Sequence, residues 1–162
     1  MPYTPILATL GYVLSPDRKR VLMIHRNARV DDHHLGKYNG LGGKLEANED
    51  VCSGMRREIR EEAGIECLDM HFRGTLSWPG FGKGGKDWFG FLFVITRFSG
   101  EPMARNPEGA LEWVEIEKIH ELSLWEGDRL FLPLVFDTDL RQFHGVMPYS
   151  GGRMVGWAYS RI

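Results

Sequence analysis

Gly42–Ile65 reads GGKLEANEDVCSGMRREIREEAGI, and this stretch determines how the rest of the chain is read. From about Asn48 to Ala63 the pattern is helical. Val51, Met55 and Ile59 recur at a spacing of four, Glu49 and Asp50 fall in the first turn, and Gly64 is a stop. Residues three and four apart share a helix face, so Glu58, Glu61 and Glu62 are expected to converge on one side. Like charges held that close raise one another's pKa. A solvated face can carry an EIREE run, because glutamate is a good helix former. The neighbours argue for more. Gly42 and Gly43 stand just before the helix, where glycine can turn a carbonyl toward a cation, and the helix N-terminus favours anions. A hard divalent cation that binds carboxylate oxygens together with substrate phosphates removes the repulsion. Glu49 and Arg57 are two turns apart, too far for an i,i+4 pair, and meet only if Glu49 lies on a bent entry to the helix.

Working outward, Ile6–Leu14 and Arg20–His25 are rich in strand formers and flank a SPDRKR turn. Asn27 to Gly36 is polar and reads as a loop. Tyr38 to Lys44 is dense in glycine and is expected to form no regular element. Strands are predicted around Met70 to Trp78 and Trp88 to Arg97, joined by PGFGKGGK, a loop that either closes over a ligand through Lys83 or Lys86 or is a mobile hairpin tip. A short strand at Leu111 to Ile116 precedes a mostly apolar helix from Glu126 to Leu140, interrupted near Pro133. The chain closes with a hairpin of Gln142 to Tyr149 and Arg153 to Ser160 about a Gly151-Gly152 turn. Strands and helices mix without βαβ alternation, so an α+β fold or α/β/α sandwich is expected, in a single domain spanning 1–162.

The bulk numbers narrow the function. A formal net charge of −2 over 162 residues supplies no basic face for nucleic acid or anionic membranes. Two cysteines, Cys52 and Cys67, make no disulfide framework, and Cys52 is expected to be a small core residue beside the apolar positions of the helix. The N-terminus reads as a strand and not as a signal peptide, and no stretch is long enough to span a bilayer, so the expected location is the cytoplasm. His33-His34 is not read as a metal site, because adjacent histidines in a polar loop point in different directions.

The helical segment resembles the Nudix box at every defining position: Gly43, five residues, Glu49, seven residues, Arg57-Glu58-Ile59, then Glu61-Glu62 and Gly64-Ile65. That resemblance implies an α/β/α sandwich with a mixed β-sheet and a loop–helix–loop box. It implies Mg²⁺, with Mn²⁺ as a substitute, held by Glu58, Glu61, Glu62 and the Gly42 carbonyl, with Glu108 as an additional acid. Glu58 is the first choice for general base and Glu108 the second, while Arg57 and Glu49 orient the box. Beyond the box, KYNGLGGKLEANE, LWEGDRLFLPL and the closing FHGVMPYSGGRMVGWAYSRI are similar to segments of the MutT-homologue group of oxidised-purine nucleoside triphosphatases. Tyr38 replaces that group's usual tryptophan. The likeness implies a nucleotide substrate bound by Asn39, Trp125, Asp128 and Lys44, with Trp125 stacked on the purine. One departure stands out: where the group has two adjacent aspartates, this chain has Gly127 and Asp128. Replacing Gly127 with Asp is expected to restore the pair and its discrimination for oxidised bases. The implied reaction is hydrolysis of a purine (deoxy)nucleoside triphosphate to monophosphate and pyrophosphate. The alternatives are another nucleoside diphosphate derivative (a sugar nucleotide, a dinucleoside polyphosphate, an RNA 5′ end) or a non-catalytic nucleotide-binding module.

Overall fold

The computed structural model describes all 162 residues. In chain order, β1 (Ile6–Leu14), β2 (Arg20–His25), β3 (Tyr38–Asn39) and β4 (Leu41–Lys44) lead into α1 (Val51–Ala63). Then come the long strands β5 (Glu66–Trp78) and β6 (Trp88–Ser99), followed by β7 (Arg105–Asn106) and β8 (Gly109–Glu115). The last elements are α2 (Asp128–Phe136), β9 (Phe143–Val146), β10 (Tyr149–Ser150), β11 (Arg153–Met154) and β12 (Ala158–Arg161). Ten strands form one mixed sheet in the order β12-β9-β5-β6-β1-β2-β8-β7, with β3 on β2 and β4 on β1. β1–β6 and β5–β9 are parallel; the other pairings are antiparallel.

Alternation along the strands sends side chains to two cores, one on each face. Along β1 and β2, Val13, Leu22 and Ile24 join Met55, Ile59 and Ala63 of α1. The intervening Tyr12, Leu14, Val21 and Met23 join Phe131, Leu132 and Val135 of α2. The sheet is therefore covered by a helix on each side, the expected α/β/α sandwich of an α+β chain. Met55 and Ile59 are fully buried, each worth roughly 1.5–3 kcal/mol of apolar burial.

Several local expectations need correction. Tyr38–Lys44 is not irregular: it forms β3 and β4 around Gly40. Its ladder bonds come from the backbone of β1 and β2, which needs no strand-forming side chains. α1 starts later than predicted, and Glu49 and Asp50 lie outside its first turn. Asp50 is the N-cap, its carboxylate accepting from the Ser53 amide at 2.9 Å. Gly64, at φ 73°, closes the helix as predicted. α2 is shorter than predicted and contains Pro133. The closing hairpin is split into β9–β12 and β10–β11. Cys52 is exposed; only Cys67 is buried. No helix is long and apolar enough to cross a membrane.

Candidate active site

The site begins where β1 changes partner. Its C-terminal end pairs with β2 (Val13↔Leu22) and its N-terminal end with β4 (Ala8↔Lys44 through Gly11↔Leu41). The β3–β4 segment thus wedges β1 and β2 apart and carries Asn39, Gly42 and Gly43 into a cavity of about 590 Å³. This cavity is lined by side chains of both helices, among them Glu58 and Glu62 from α1 and Asp128 and Phe131 from α2. Close approach to backbone requires glycine at position 42, whereas a side chain at position 43 would displace the Glu58 carboxylate. A Cβ at Gly42 would lie 1.9 Å from the Thr9 carbonyl oxygen, and one at Gly43 would lie 2.7 Å from the Glu58 carboxylate.

Arg57 organises the box. Its guanidinium holds Glu49 with two hydrogen bonds of 2.6 and 2.9 Å, and also donates to the Lys44 carbonyl, Glu58 and Glu61. Glu49 does lie on the bent entry, and the Arg57 hydrogen bonds push its carboxyl down to about 2. Glu58 and Glu62 behave in the opposite way. Burial raises both, Glu62 well above the usual carboxylate range, and Glu108 raises each further. Glu62 accepts a hydrogen bond from the Gly42 amide at 3.3 Å. Glu108 is 3.6 Å from Arg26, and its backbone is fixed by Asn106, which also donates to the Glu62 carbonyl.

The predicted convergence of Glu58, Glu61 and Glu62 is only partial. Glu58, Glu62 and Glu108 line the cavity, whereas Glu61 is 59% exposed and turned toward Arg57, 3.2 Å away. No three acidic or histidine side chains form a ready-made metal cluster. The donor chemistry nevertheless fits a hard divalent cation: the mutually repelling carboxylates of Glu58, Glu62 and Glu108 line one cavity, and of the three only Glu62 has no ion-pair partner.

The aromatic part of the cavity holds Trp125, Asp128 and Asn39. The side-chain amide nitrogen of Asn39 is buried without a hydrogen-bond partner, and so is the hydroxyl of Thr9, which also lines the cavity. Burial pushes the Asp128 carboxyl up to about 7. Trp125 lies ahead of α2, which begins at Asp128 and not at Glu126. Its ring packs edge-on to Phe81 and Tyr149 and lies 5.3 Å below the Lys37 ammonium. Lys44 lines the cavity with its ammonium over Trp88, and Lys83 of the β5–β6 loop lines it too, whereas Lys86 does not. Thr9, Arg26, His33, His34, Phe81 and Trp88 also line it and were not singled out as binding residues from sequence. The adjacent histidines were the one available signal among them.

The NUDIX domain family matches residues 5–135. The chain is a Nudix hydrolase. It is 30% identical over 149 residues to a Danio rerio protein called oxidized purine nucleoside triphosphate hydrolase, covering 92% of this chain and 90% of that one. It is 29% identical over 142 residues to the Nudix hydrolase YvcI of Bacillus subtilis, covering 85% and 84% of the two chains. A crystal structure of a MutT protein from Bacillus halodurans superposes with a TM-score of 0.81 at 26% identity, over 95% of this chain and 97% of that one.

In this Nudix hydrolase Gly127 cannot simply regain an aspartate. A Cβ there would lie 1.9 Å from the sulfur of the buried Met147 and 2.8 Å from the Tyr149 hydroxyl, which accepts the Gly127 amide hydrogen bond. An aspartate at this position can therefore complete a paired-acid site only by displacing Met147. Gly127→Asp is expected to lower stability by about 1–3 kcal/mol through overpacking, read as a fall in urea midpoint. An unchanged midpoint would show that Met147 moves aside freely.

Proposed function

We propose that this Nudix hydrolase converts a purine nucleoside triphosphate, oxidised purines included, to the monophosphate and pyrophosphate. One observation carries the reading: a single cavity is lined by Trp125, the unpaired amide of Asn39 and the half-buried carboxyl of Asp128, and also by Glu58, Glu62 and Glu108. A base stacked on Trp125 gives Asn39 the acceptor its amide lacks and presents its edge to Asp128. A polar pocket of this kind rejects bases that leave its groups unpaired. The similarity to the Danio rerio protein supports the same substrate class.

In this reading Glu58, Glu62, Glu108 and the Gly42 carbonyl would hold Mg²⁺, or Mn²⁺ in its place, and Glu61 would join them only on giving up its 3.2 Å hydrogen bond from Arg57. A bound divalent cation would neutralise phosphate oxygens and lower the pKa of the attacking water. Arg57 keeps Glu58 at the cavity wall, where its carboxylate takes the proton as the water oxygen bonds to phosphorus and the bond to pyrophosphate breaks. Glu108 is the second candidate for that proton. Lys44 offers a cation to the polyphosphate, and the apolar walls Trp78, Trp88 and Phe131 keep bulk water from the base.

The test is a panel of ordinary and oxidised purine and pyrimidine nucleoside triphosphates, with sugar nucleotides and dinucleoside polyphosphates, in Mg²⁺ with pyrophosphate and phosphate measured separately. Purine triphosphates are expected to give the highest kcat/KM, with pyrophosphate as the product. Inorganic phosphate as the primary product, or turnover confined to the diphosphate derivatives, would overturn the proposal.

A further inference from the structure

The two histidines of the Asn27–Gly36 loop both contact Trp125, and their own rings lie 5.4 Å apart. The Trp125 indole N–H donates to His34 Nδ1 at 2.9 Å. The His34 ring stands edge-on to the indole, 5.6 Å between centroids and 85° between planes. Its neighbour His33 lies against the same indole at 5.3 Å and hydrogen-bonds through Nε2 to the Phe81 carbonyl at 3.0 Å. His34 is itself fixed from below. Its amide donates to the Asp32 carboxylate at 3.0 Å, and Arg26 clamps that carboxylate with two hydrogen bonds of 2.7 and 2.9 Å. A chain of contacts therefore runs from Arg26 on the strand end through Asp32 and His34 to the indole.

The other partners of Trp125 leave its orientation open. Phe81 and Tyr149 meet it edge-on and Lys37 lies over its face. None of these contacts fixes which edge of the ring points where, because apolar packing is non-directional. The indole N–H is the one group on the ring whose hydrogen bond does so. An accepting Nδ1 carries no proton, so the neutral imidazole bears it on Nε2. Burial favours that neutral form by holding the His34 pKa at about 4.

We propose that His34 is a positioning residue for nucleotide specificity: it accepts the Trp125 indole N–H and sets that ring as a fixed wall of the base pocket, favouring two-ring bases. The inference rests on the proposed purine substrate for its consequence, and on the indole hydrogen bond alone for its mechanism. A fixed indole keeps the part of its surface that lines the cavity in place for a purine without the entropy of ordering a free ring, whereas a pyrimidine overlaps less of it and gains less.

The experiment separates the two. In the nucleotide-free protein, the five tryptophans give five indole N–H resonances, and Trp125→Phe identifies the relevant one. His34→Ala is expected to speed its hydrogen exchange by about tenfold, the scale of one lost hydrogen bond, with the other four peaks reporting an intact fold. His34→Asn places an amide oxygen where Nδ1 stands and should restore protection. In turnover, His34→Ala should raise KM for a purine triphosphate by about tenfold, with kcat moving far less and pyrimidine KM changing by about twofold. In the Trp125→Phe background the same substitution should add almost nothing. Unchanged indole exchange in His34→Ala, failure of Asn to restore protection, or additive losses in the double variant would each overturn the proposal. If the exchange results hold but no purine triphosphate is turned over by the unmodified protein, the substrate assignment fails and the His34–Trp125 link stands.

Discussion

Glu62→Gln is expected to cut turnover of a nucleoside triphosphate by about a hundredfold or more, the scale of losing a metal-holding or proton-moving carboxylate. Glu62 is the most deeply buried acid of the α1 face, and its charge is opposed by burial, Glu108 and Glu58 together. Glutamine keeps the volume and can still accept the Gly42 amide hydrogen bond, so the fold should persist. Removing one negative charge from a crowded acidic cluster should raise the Tm of the metal-free protein. The same change should abolish the response to Mg²⁺. A divalent ion that binds only the folded unmodified protein adds about 2.7 kcal/mol at a hundredfold excess over Kd, which a thermal melt reads as a rise of several degrees. Near-full turnover in saturating Mg²⁺, or an equal Mg²⁺ shift in both proteins, would remove Glu62 from the metal assignment. The corresponding Glu61→Gln change is also informative, because Glu61 reaches the cavity only by leaving Arg57. Its loss should weaken Mg²⁺ affinity without raising the metal-free Tm.

The parts of this molecule that were legible from sequence are those whose physics is local. β1 and β2 have the limits their strand-forming runs suggested. α1 follows its apolar period and stops at Gly64. The Glu49–Arg57 pair could be anticipated because the box fixes a loop of known length ahead of a helix. What stayed hidden depends on partners far along the chain. β4 has two glycines in four residues and becomes a strand only because β1 supplies its ladder. Thr9 sits in an ordinary apolar strand and gives no sign that its hydroxyl is buried without a partner. His33 and His34 look like a poor metal motif, and their rings do point apart, 88° between planes. Their contacts with Phe81 and Trp125 span 48 and 91 residues of chain. Gly127 looked like a lost acid. It is a position closed by Met147 and Tyr149 from the closing segment, whose antiparallel pairing about Gly151-Gly152 follows the sequence reading but is divided between two ladders offset by one residue.

Asp128→Asn should lower kcat/KM for purine triphosphates by about 1–3 kcal/mol, the usual scale for a buried polar partner left mispaired, and should do so far more than for pyrimidines. The same change should stabilise the protein at alkaline pH. Burial pushes the Asp128 carboxyl up to about 7, against the opposing influence of the Trp125 backbone hydrogen bond, Lys37 and Arg129. A group whose folded pKa is raised binds its proton more tightly in the folded state. Its contribution is fully present below the unfolded value and is lost as pH rises through the folded value. Unfolding free energy should therefore fall between about pH 4 and pH 7 by up to about 4 kcal/mol from this residue. Asparagine does not ionise, so that part of the pH slope should vanish, and Asp128→Asn should melt above the unmodified protein at pH 8 and close to it at pH 4. Such a cost is tolerated where a buried acid performs a function, since a neutral carboxyl both donates to and accepts from a base edge, whereas the ionised form only accepts. The two measurements check each other. Equal losses of kcat/KM for all bases, together with the predicted gain in Tm, would show a buried acid that destabilises the fold without reading the base, and the purine assignment would fall while the carboxylate chemistry of α1 stood.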